Sequence, residues 1–116
     1  MKKIIKTIAV IAMMIGCAGV QAQHAPFVAQ AKRVLTDNFR DPGAAKYRDL
    51  AVYRQLDGKT IALCGEVNAK NAYGAYTGFS SFYADLKFGY VRADGEDKRF
   101  DAMRMSYCDK RVATAK

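Results

Sequence analysis

The chain has 116 residues, with 19 lysine and arginine residues against 11 aspartate and glutamate residues, three cysteines, one histidine and no tryptophan. This length gives room for one small domain, which excludes a multidomain enzyme and an internally built cofactor fold. The net charge is +8 at pH 7, but no run of Lys and Arg is interleaved with a nucleic-acid-binding motif, so nucleic acid is not an expected partner.

The amino end has the layout of a secretory signal peptide. Three lysines form a basic start, an apolar stretch covers residues 4–15, and small residues precede the expected cleavage site after Ala22. The apolar stretch is shorter than the roughly 20 residues that a membrane-spanning anchor needs. We therefore predict a signal peptide over residues 1–22 and a single domain over residues 23–116.

A second processing pattern overlaps this segment. Met14-Ile15-Gly16-Cys17 resembles a bacterial lipobox, although that pattern usually has leucine where Met14 stands. Cleavage after Ala22 predicts a periplasmic or secreted domain, whereas lipidation of Cys17 predicts the same domain anchored to a membrane. We favour cleavage after Ala22. It removes three of the 19 basic residues and no acidic residue, which leaves 16 basic against 11 acidic residues and a net charge of +5. A charge of this size favours weak attraction to anionic surfaces such as lipid headgroups, peptidoglycan or an acidic protein, and an ordinary surface with a modest basic excess is the alternative.

The first element of the predicted domain is an amphipathic helix. Apolar residues recur at steps of three and four between Pro26 and Arg40, which is typical of one helix face. Proline suits a first helical turn, and Asp41-Pro42-Gly43 ends the pattern because proline disfavours helical geometry in the residue before it. The pattern predicts a helix over residues 26–40.

Beyond this helix the apolar period changes to two, which predicts strands. The segments 46–56 and 60–69 flank Asp57-Gly58, a hairpin signal. A long third strand is expected over residues 82–90 and a fourth over residues 99–108. The last residues, from Val112 onward, are expected to form a frayed tail.

These elements predict an α+β fold, with one N-terminal helix packed on a small antiparallel sheet of about four strands. The helix is the only predicted element long enough to cover the apolar face of the sheet. The predicted core consists of Phe27, Ala31, Val34, Leu35, Phe39, Leu50, Val52, Ile61, Leu63, Val67, Phe82, Leu86 and Phe88.

Cysteine usage predicts one disulfide. An exported chain meets an oxidising compartment, and only Cys64 and Cys108 remain after signal removal. Their bond would close a loop of about 45 residues and contribute roughly 4 kcal/mol in the chain-entropy model. Cys64 stands on the side of its strand opposite the main apolar row, so its partner segment must fold across that side. A metal site would lack two further ligands, and a redox pair usually has Cys-x-x-Cys spacing, so neither is expected.

Two segments resemble a family of small exported proteobacterial proteins. The first is Cys64-Gly65-Glu66-Val67-Asn68-Ala69-Lys70-Asn71, followed by Tyr73, Gly74, Tyr76, Thr77, Gly78 and Phe79. The second is the segment 41–47, which is similar to that family's Asp-Pro-x-Ser-Ala-Lys-Phe block, with Ala44 in place of serine. The resemblance covers about residues 28–83 and the terminal cysteine, and it implies a shared fold and export. It carries no catalytic assignment.

Catalytic residue types are sparse. His24 is the only histidine and lies two residues into the predicted mature chain, so imidazole chemistry has no credible centre. Glu66 is a lone carboxylate, whereas glycosidase mechanisms require two; we expect it to bind Lys70 or backbone amides of the following loop. There is no glycine-rich phosphate loop or nucleotide fingerprint. The sequence therefore predicts a protein without enzymatic activity and without a cofactor.

Recognition chemistry is concentrated in the glycine-punctuated loop after the second strand. Amides, a cation and aromatic rings are typical of sites that dock a sugar, a peptide or a protein surface. An alternative interpretation is that the asparagines cap tight turns while the tyrosines cover the sheet edge or pack against the helix. The predicted ligand-binding residues are Asn68, Lys70, Asn71, Tyr73, Tyr76 and Phe79.

A second cluster, Tyr47, Arg48, Tyr53 and Arg54, would place aromatic and guanidinium groups on an anionic partner, and cross-strand packing explains it equally well. The function that we predict is a small exported binding or accessory protein of the bacterial envelope, such as an inhibitor of a secreted or lytic enzyme. Its partner would be an envelope protein or a cell-wall component, with membrane contact only through a lipidated Cys17. The alternatives are a structural component of an envelope or secretion assembly and a small cell-wall enzyme using Glu66.

Overall fold

The structure, a computed structural model, describes residues 19–93 and 97–115, with side chains from residue 24 onward. Most of the predicted signal peptide and the lipobox cysteine lie outside these residues. The elements in chain order are α1 (Gly19–Thr36), a 3-10 turn (Pro42–Ala44), β1 (Lys46–Arg54), β2 (Ile61–Asn68), β3 (Ser80–Ala84), β4 (Gly89–Val91), α2 (Lys98–Tyr107) and β5 (Lys110–Thr114). Within the described ranges, neither helix combines the length and apolar character that crossing a membrane requires.

The five strands form one antiparallel sheet in the order β4-β3-β2-β1-β5. The predicted α+β class is confirmed, with five strands rather than about four. The hairpin between β1 and β2 forms where it was expected, because the Asp57 carboxylate accepts the backbone N–H groups of Lys59 and Thr60, each at 2.8 Å. Gly58 follows with a φ of 73°, which glycine adopts without steric cost.

Helix α1 covers one face of the sheet and builds the main core. Val28, Ala31 and Leu35 pack against side chains from β1, β2 and β3. The predicted residues found buried there are Ala31, Leu35, Leu50, Val52, Leu63, Val67 and Phe82. Phe27, Phe39 and Ile61 are partly buried against the same core.

The bounds of α1 differ from the predicted 26–40. The helix already includes residue 19, so Pro26 lies inside it, and it ends at Thr36. The Thr36 hydroxyl donates to the Lys32 carbonyl at 2.8 Å, and the Phe39 N–H donates to the Thr36 carbonyl at 2.9 Å, which closes a turn. The helix therefore stops before Asp41-Pro42-Gly43.

The predicted strand over residues 99–108 is wrong, because this segment forms helix α2 on the other face of the sheet. The Asp97 side chain caps the helix by accepting the Phe100 N–H at 2.9 Å. Phe100 is the buried residue of α2, and it packs with Ala62, Cys64 and Tyr83 in a second core cluster. Met103 and Met105 are exposed.

The predicted long third strand is also wrong, because a turn divides it into β3 and β4. The Asp85 carboxylate accepts the N–H groups of Lys87 and Phe88 at 2.8 Å each, and the Asp85 N–H donates to the Phe88 carbonyl. Leu86 and Phe88 therefore lie on an exposed turn, 53% and 52% accessible, and do not belong to the core as predicted. The segment expected to fray instead forms β5, which pairs with β1.

A β-bulge in β1 decides which side chains face which helix. The pairing with β2 shifts between Arg48 and Ala51, and Asp49 adopts a φ of 55°. Without this extra residue Tyr47 and Tyr53 would share a face, since strand side chains alternate with a period of two. With it, Tyr47 packs on the α1 side and Tyr53 on the α2 side.

The predicted Cys64–Cys108 disulfide is confirmed, with the two Cα atoms 6.3 Å apart and a sequence separation of 44 residues. Cys64 is 1% exposed and lies in the cluster under α2, on the face opposite α1. The segment carrying its partner does fold across that side. The bond joins the end of α2 to the middle of the sheet.

Candidate functional site

The predicted binding loop, residues 69–79, connects β2 to β3 and closes on itself. Lys70 and Tyr76 form an isolated antiparallel bridge. Inside it, the Asn71 side-chain oxygen accepts the N–H groups of Tyr73 at 2.9 Å and Ala75 at 3.1 Å. The Asn71 backbone N–H donates to the Ala75 carbonyl at 2.8 Å. The tip of the loop is therefore closed by hydrogen bonds between its own residues.

Further bonds attach this loop to the sheet. The Asn68 side-chain oxygen accepts the Gly78 N–H at 3.0 Å, and the Tyr76 hydroxyl donates to the Ala44 carbonyl at 2.8 Å. Asn68 and Asn71 thus hold the backbone of the loop, as the alternative interpretation of the asparagines expected. Their side-chain oxygens therefore determine the shape of the site.

Cations of β1 and of the loop lie over the aromatic rings. The Lys46 and Lys70 ammonium groups are 4.4 Å and 5.5 Å from the centre of the Tyr76 ring. The Arg48 guanidinium lies 4.1 Å from the centre of the Phe79 ring. We call the six predicted loop residues, together with Lys46 and Arg48, the loop surface.

The loop surface carries excess positive charge. Arg48 forms an ion pair with Glu66, the residue opposite it in the β1–β2 register. Lys46 and Lys70 form no ion pair with any residue that the structure describes. The expectation that Glu66 binds Lys70 or loop amides is wrong, because the register sets Arg48 beside it and its carboxylate binds that guanidinium.

Tyr73 occupies the tip of the loop, where it is 95% exposed. Tyr76 and Phe79 are about one-third exposed, at 37% and 36%, because cationic side chains cover part of each ring. The loop surface therefore presents one fully accessible ring beside two partly covered rings and their cations. The rings of Tyr73, Tyr76 and Phe79 do not belong to either core cluster.

The second predicted cluster does not assemble. The Tyr47 ring packs edge-on at 6.0 Å from the Phe82 ring, and burial raises the pKa of Tyr47. Tyr53 packs on the opposite face, and Arg54 donates to the Gly58 carbonyl at 3.2 Å. Only Arg48 contributes to a candidate site, and it does so within the loop surface.

Lys46 was not predicted as a site residue. Arg48 was predicted in the second cluster, but it lies over the Phe79 ring in the loop surface. Both lie at the start of β1, where the register sets them opposite Asn68 and Glu66. The hairpin signal at Asp57-Gly58 could have predicted this proximity. In an antiparallel hairpin, residues at equal distances before and after the turn lie opposite each other, which brings residues 46–48 close to residues 66–68. We find no group of three or more metal-ligating side chains in the described part of the chain.

Comparison of the chain with family models, with curated proteins and with solved structures gave no match. The resemblance to a family of small exported proteobacterial proteins stays a prediction. The fold and the site define the molecule as a disulfide-linked α+β domain with a basic, aromatic loop surface.

Proposed function

We propose that this chain is a small exported binding protein of the bacterial envelope, without enzymatic activity of its own, that engages a partner protein through the loop surface. The observation that carries the proposal is the 95% exposure of Tyr73 on a tip closed by hydrogen bonds. Exposed aromatic side chains are common energetic centres of protein interfaces. A loop that is already ordered loses little conformational entropy when it binds.

The charge of the loop surface supports an acidic partner. Lys46 and Lys70 both lie over the Tyr76 ring, and neither forms an ion pair with an acidic residue of the described chain. Positive charges at the edge of an interface accelerate association with a negative surface. We propose that the partner carries an acidic cleft that Tyr73 enters, as an inhibitor loop enters a secreted or lytic enzyme.

The disulfide supports export, because such bonds form and persist in oxidising compartments. We propose a periplasmic or secreted protein released by cleavage after Ala22, with a lipid anchor on Cys17 as the alternative. Mass spectrometry of the mature amino terminus distinguishes the two. A mass beginning at Gln23 supports the first, and a diacylated or triacylated Cys17 supports the second.

The proposed interface is tested by capture from an envelope extract. The mature protein and its Tyr73→Ala variant are immobilised, and the captured proteins are compared by quantitative mass spectrometry. Met105→Ala is the matched control, because Met105 is 76% exposed on α2, away from the loop surface. We expect Tyr73→Ala alone to lose the specific partner. Equal recovery of every protein by all three samples would refute the choice of loop.

Two alternatives are tested separately. A structural role is favoured by β5, an edge strand with four exposed residues in five. The exposed charges of Lys110 and Arg111 on this strand disfavour pairing with a second copy; light scattering that detects a stable oligomer would support this alternative. A cell-wall enzyme using Glu66 would lose its activity in Glu66→Gln.

A further inference from the structure

A second concave surface lies between α2 and the turn that joins β3 to β4. Its volume is about 540 Å³, within the range of roughly 300–1,000 Å³ that is typical of small-molecule sites. No residue of the loop surface lines it. We call it the aromatic groove; its main lining residues are Tyr83, Phe88, Tyr90, Phe100, Met103 and Tyr107.

The floor of the aromatic groove is built into the core. The Tyr83 ring centre lies 5.3 Å from that of Tyr90, 5.1 Å from Phe100 and 4.6 Å from Tyr107. Tyr83 and Phe100 are only 4% and 6% exposed. They share a cluster with Cys64, whose disulfide fixes the end of α2. The floor is therefore ordered before any ligand arrives.

The wall of the groove is exposed. Phe88 and Tyr90 are about half accessible, at 52% and 47%, and their rings lie within 22° of parallel with centres 6.3 Å apart. Two adjacent ring faces of similar orientation form a platform on which a flat, partly apolar ligand can stack. Exposed aromatic surface of this kind commonly marks a binding groove.

The hydroxyl groups give the groove its polar chemistry. The hydroxyls of Tyr83, Tyr90 and Tyr107 make no hydrogen bond to any residue that the structure describes, whereas that of Tyr76 does. These oxygens are not among the buried polar atoms that lack a partner, so water reaches them, and the hydroxyl groups of a ligand can replace that water. Burial raises the pKa of Tyr83 and Tyr107, so both hydroxyls stay protonated and can donate as well as accept.

We infer that the aromatic groove binds a short oligosaccharide. A sugar ring has an apolar C–H face that stacks on Phe88 and Tyr90 and hydroxyl edges that bond to the phenol groups, with Asp97 and Arg99 in the lining as additional polar partners. A purely apolar side chain would leave the hydroxyls unpaired. The charges of Asp97 and Arg99 cancel in the lining, so the groove has no net negative charge to attract an organic cation. The inference does not depend on the loop surface or its partner.

The experiment is an NMR titration of the mature protein with isotope-labelled aromatic rings. The probes are a tetramer of N-acetylglucosamine and maltotetraose. Two competing probes represent the alternative ligands: tetramethylammonium chloride for an organic cation and N-acetyl-phenylalanine amide for an apolar side chain. We expect at least one oligosaccharide to shift the signals of Phe88, Tyr90 and Tyr107. Absence of binding by both oligosaccharides at millimolar concentration, or shifts in the groove produced only by a competing probe, would overturn the inference.

Variants then localise the binding. Tyr107→Phe removes one hydroxyl and keeps the ring, and we expect a roughly threefold to tenfold weaker affinity. Phe88→Ala removes part of the exposed platform, and we expect at least tenfold weaker binding with the dispersion of the amide spectrum unchanged. Val112→Ala is the matched control, because Val112 is exposed on β5, at the edge of the sheet opposite β4, and does not line the groove. It should bind as the unmodified protein does. Binding that survives both groove variants, or that is lost equally in Val112→Ala, contradicts the assignment of the site.

Discussion

Gly89 lies directly against the backbone of Leu35. A Cβ atom built on Gly89 would stand 2.7 Å from the Leu35 Cα and 3.0 Å from the Leu35 nitrogen. Helix α1 therefore rests on β4 at a point where only hydrogen fits between the two backbones. This contact explains how a strand of three residues is held at the edge of the sheet.

Gly89→Ala should destabilise the fold, because two backbone segments must separate to admit a methyl group. Overpacking of this kind typically costs about 1–3 kcal/mol. The measurement is the free energy of unfolding in urea. Gly43→Ala is the control, because a Cβ at Gly43 meets nothing within 4 Å. Equal losses in both variants would show that the contact with Leu35 does not limit the packing of α1.

The disulfide should account for a large part of the stability. We expect the double variant Cys64→Ala/Cys108→Ala to lose about 2–4 kcal/mol of unfolding free energy, because the open chain gains conformational freedom when unfolded. Alkylation of the purified periplasmic protein without reduction should leave both cysteines unlabelled in the intact mass. Labelling of both thiols in fresh material would contradict the proposed compartment as well as the bond.

The parts of the fold that could be predicted depend on local periodicity. The α1 face and the side of β2 that carries Cys64 follow from the spacing of apolar residues, and the hairpin follows from the turn residues Asp57-Gly58. Helix α2 was not predicted, because Met103, Met105 and Tyr107 occur at every second position, as apolar residues of a strand do. These side chains do not form a buried row in the structure. The Asp97 cap was a usable helix signal, but the alternating residues outweighed it.

The candidate site was predicted only in part, because some of its residues meet through strand pairing and not through a local sequence pattern. The loop and its exposed Tyr73 could be located from glycine and aromatic content alone. The contribution of Lys46 depends on the β1–β2 register. The separation of Tyr47 from Tyr53 depends on the bulge at Asp49, whose left-handed backbone has no clear signal in the residues around it. The aromatic groove requires α2, and a strand in its place would not form it.

Acid should weaken the β1–β2 hairpin through Asp57. Hydrogen bonds from the Thr60 hydroxyl, the Thr60 N–H and the Lys59 N–H lower the pKa of this carboxyl from its ordinary value of 3.8. Because the folded-state pKa lies below the unfolded one, the stabilisation is present above the unfolded pKa and is lost as the pH falls through the folded pKa.

The measurement is an NMR titration of the Asp57 carboxyl in the unmodified protein and in Thr60→Ala. We expect the pKa of Asp57 to rise toward 3.8 in the variant, because the side-chain bond from Thr60 is the largest cause of the shift. Lys87→Ala, on the turn between β3 and β4, serves as the control. If the pKa of Asp57 is the same in Thr60→Ala as in the unmodified protein, the Thr60 hydroxyl does not cause the lowered pKa.

The order of the loop surface should depend on one hydroxyl. Tyr76→Phe removes the bond to the Ala44 carbonyl and keeps the ring that Lys46 and Lys70 contact. We expect up to about 1 kcal/mol lower stability of the loop, because the carbonyl that loses its donor is still reached by water.

Hydrogen exchange at the amides of Tyr73 and Ala75 measures this loss, since both are bonded to Asn71 inside the loop. Tyr73→Phe removes a hydroxyl from the exposed tip and should leave those exchange rates unchanged. Faster exchange in Tyr76→Phe alone, together with weaker capture of the partner, would connect the order of the loop to its binding. Identical exchange in the two variants would mean that the bonds of Asn71 hold the tip by themselves, and the anchor at Ala44 would then have no part in presenting Tyr73.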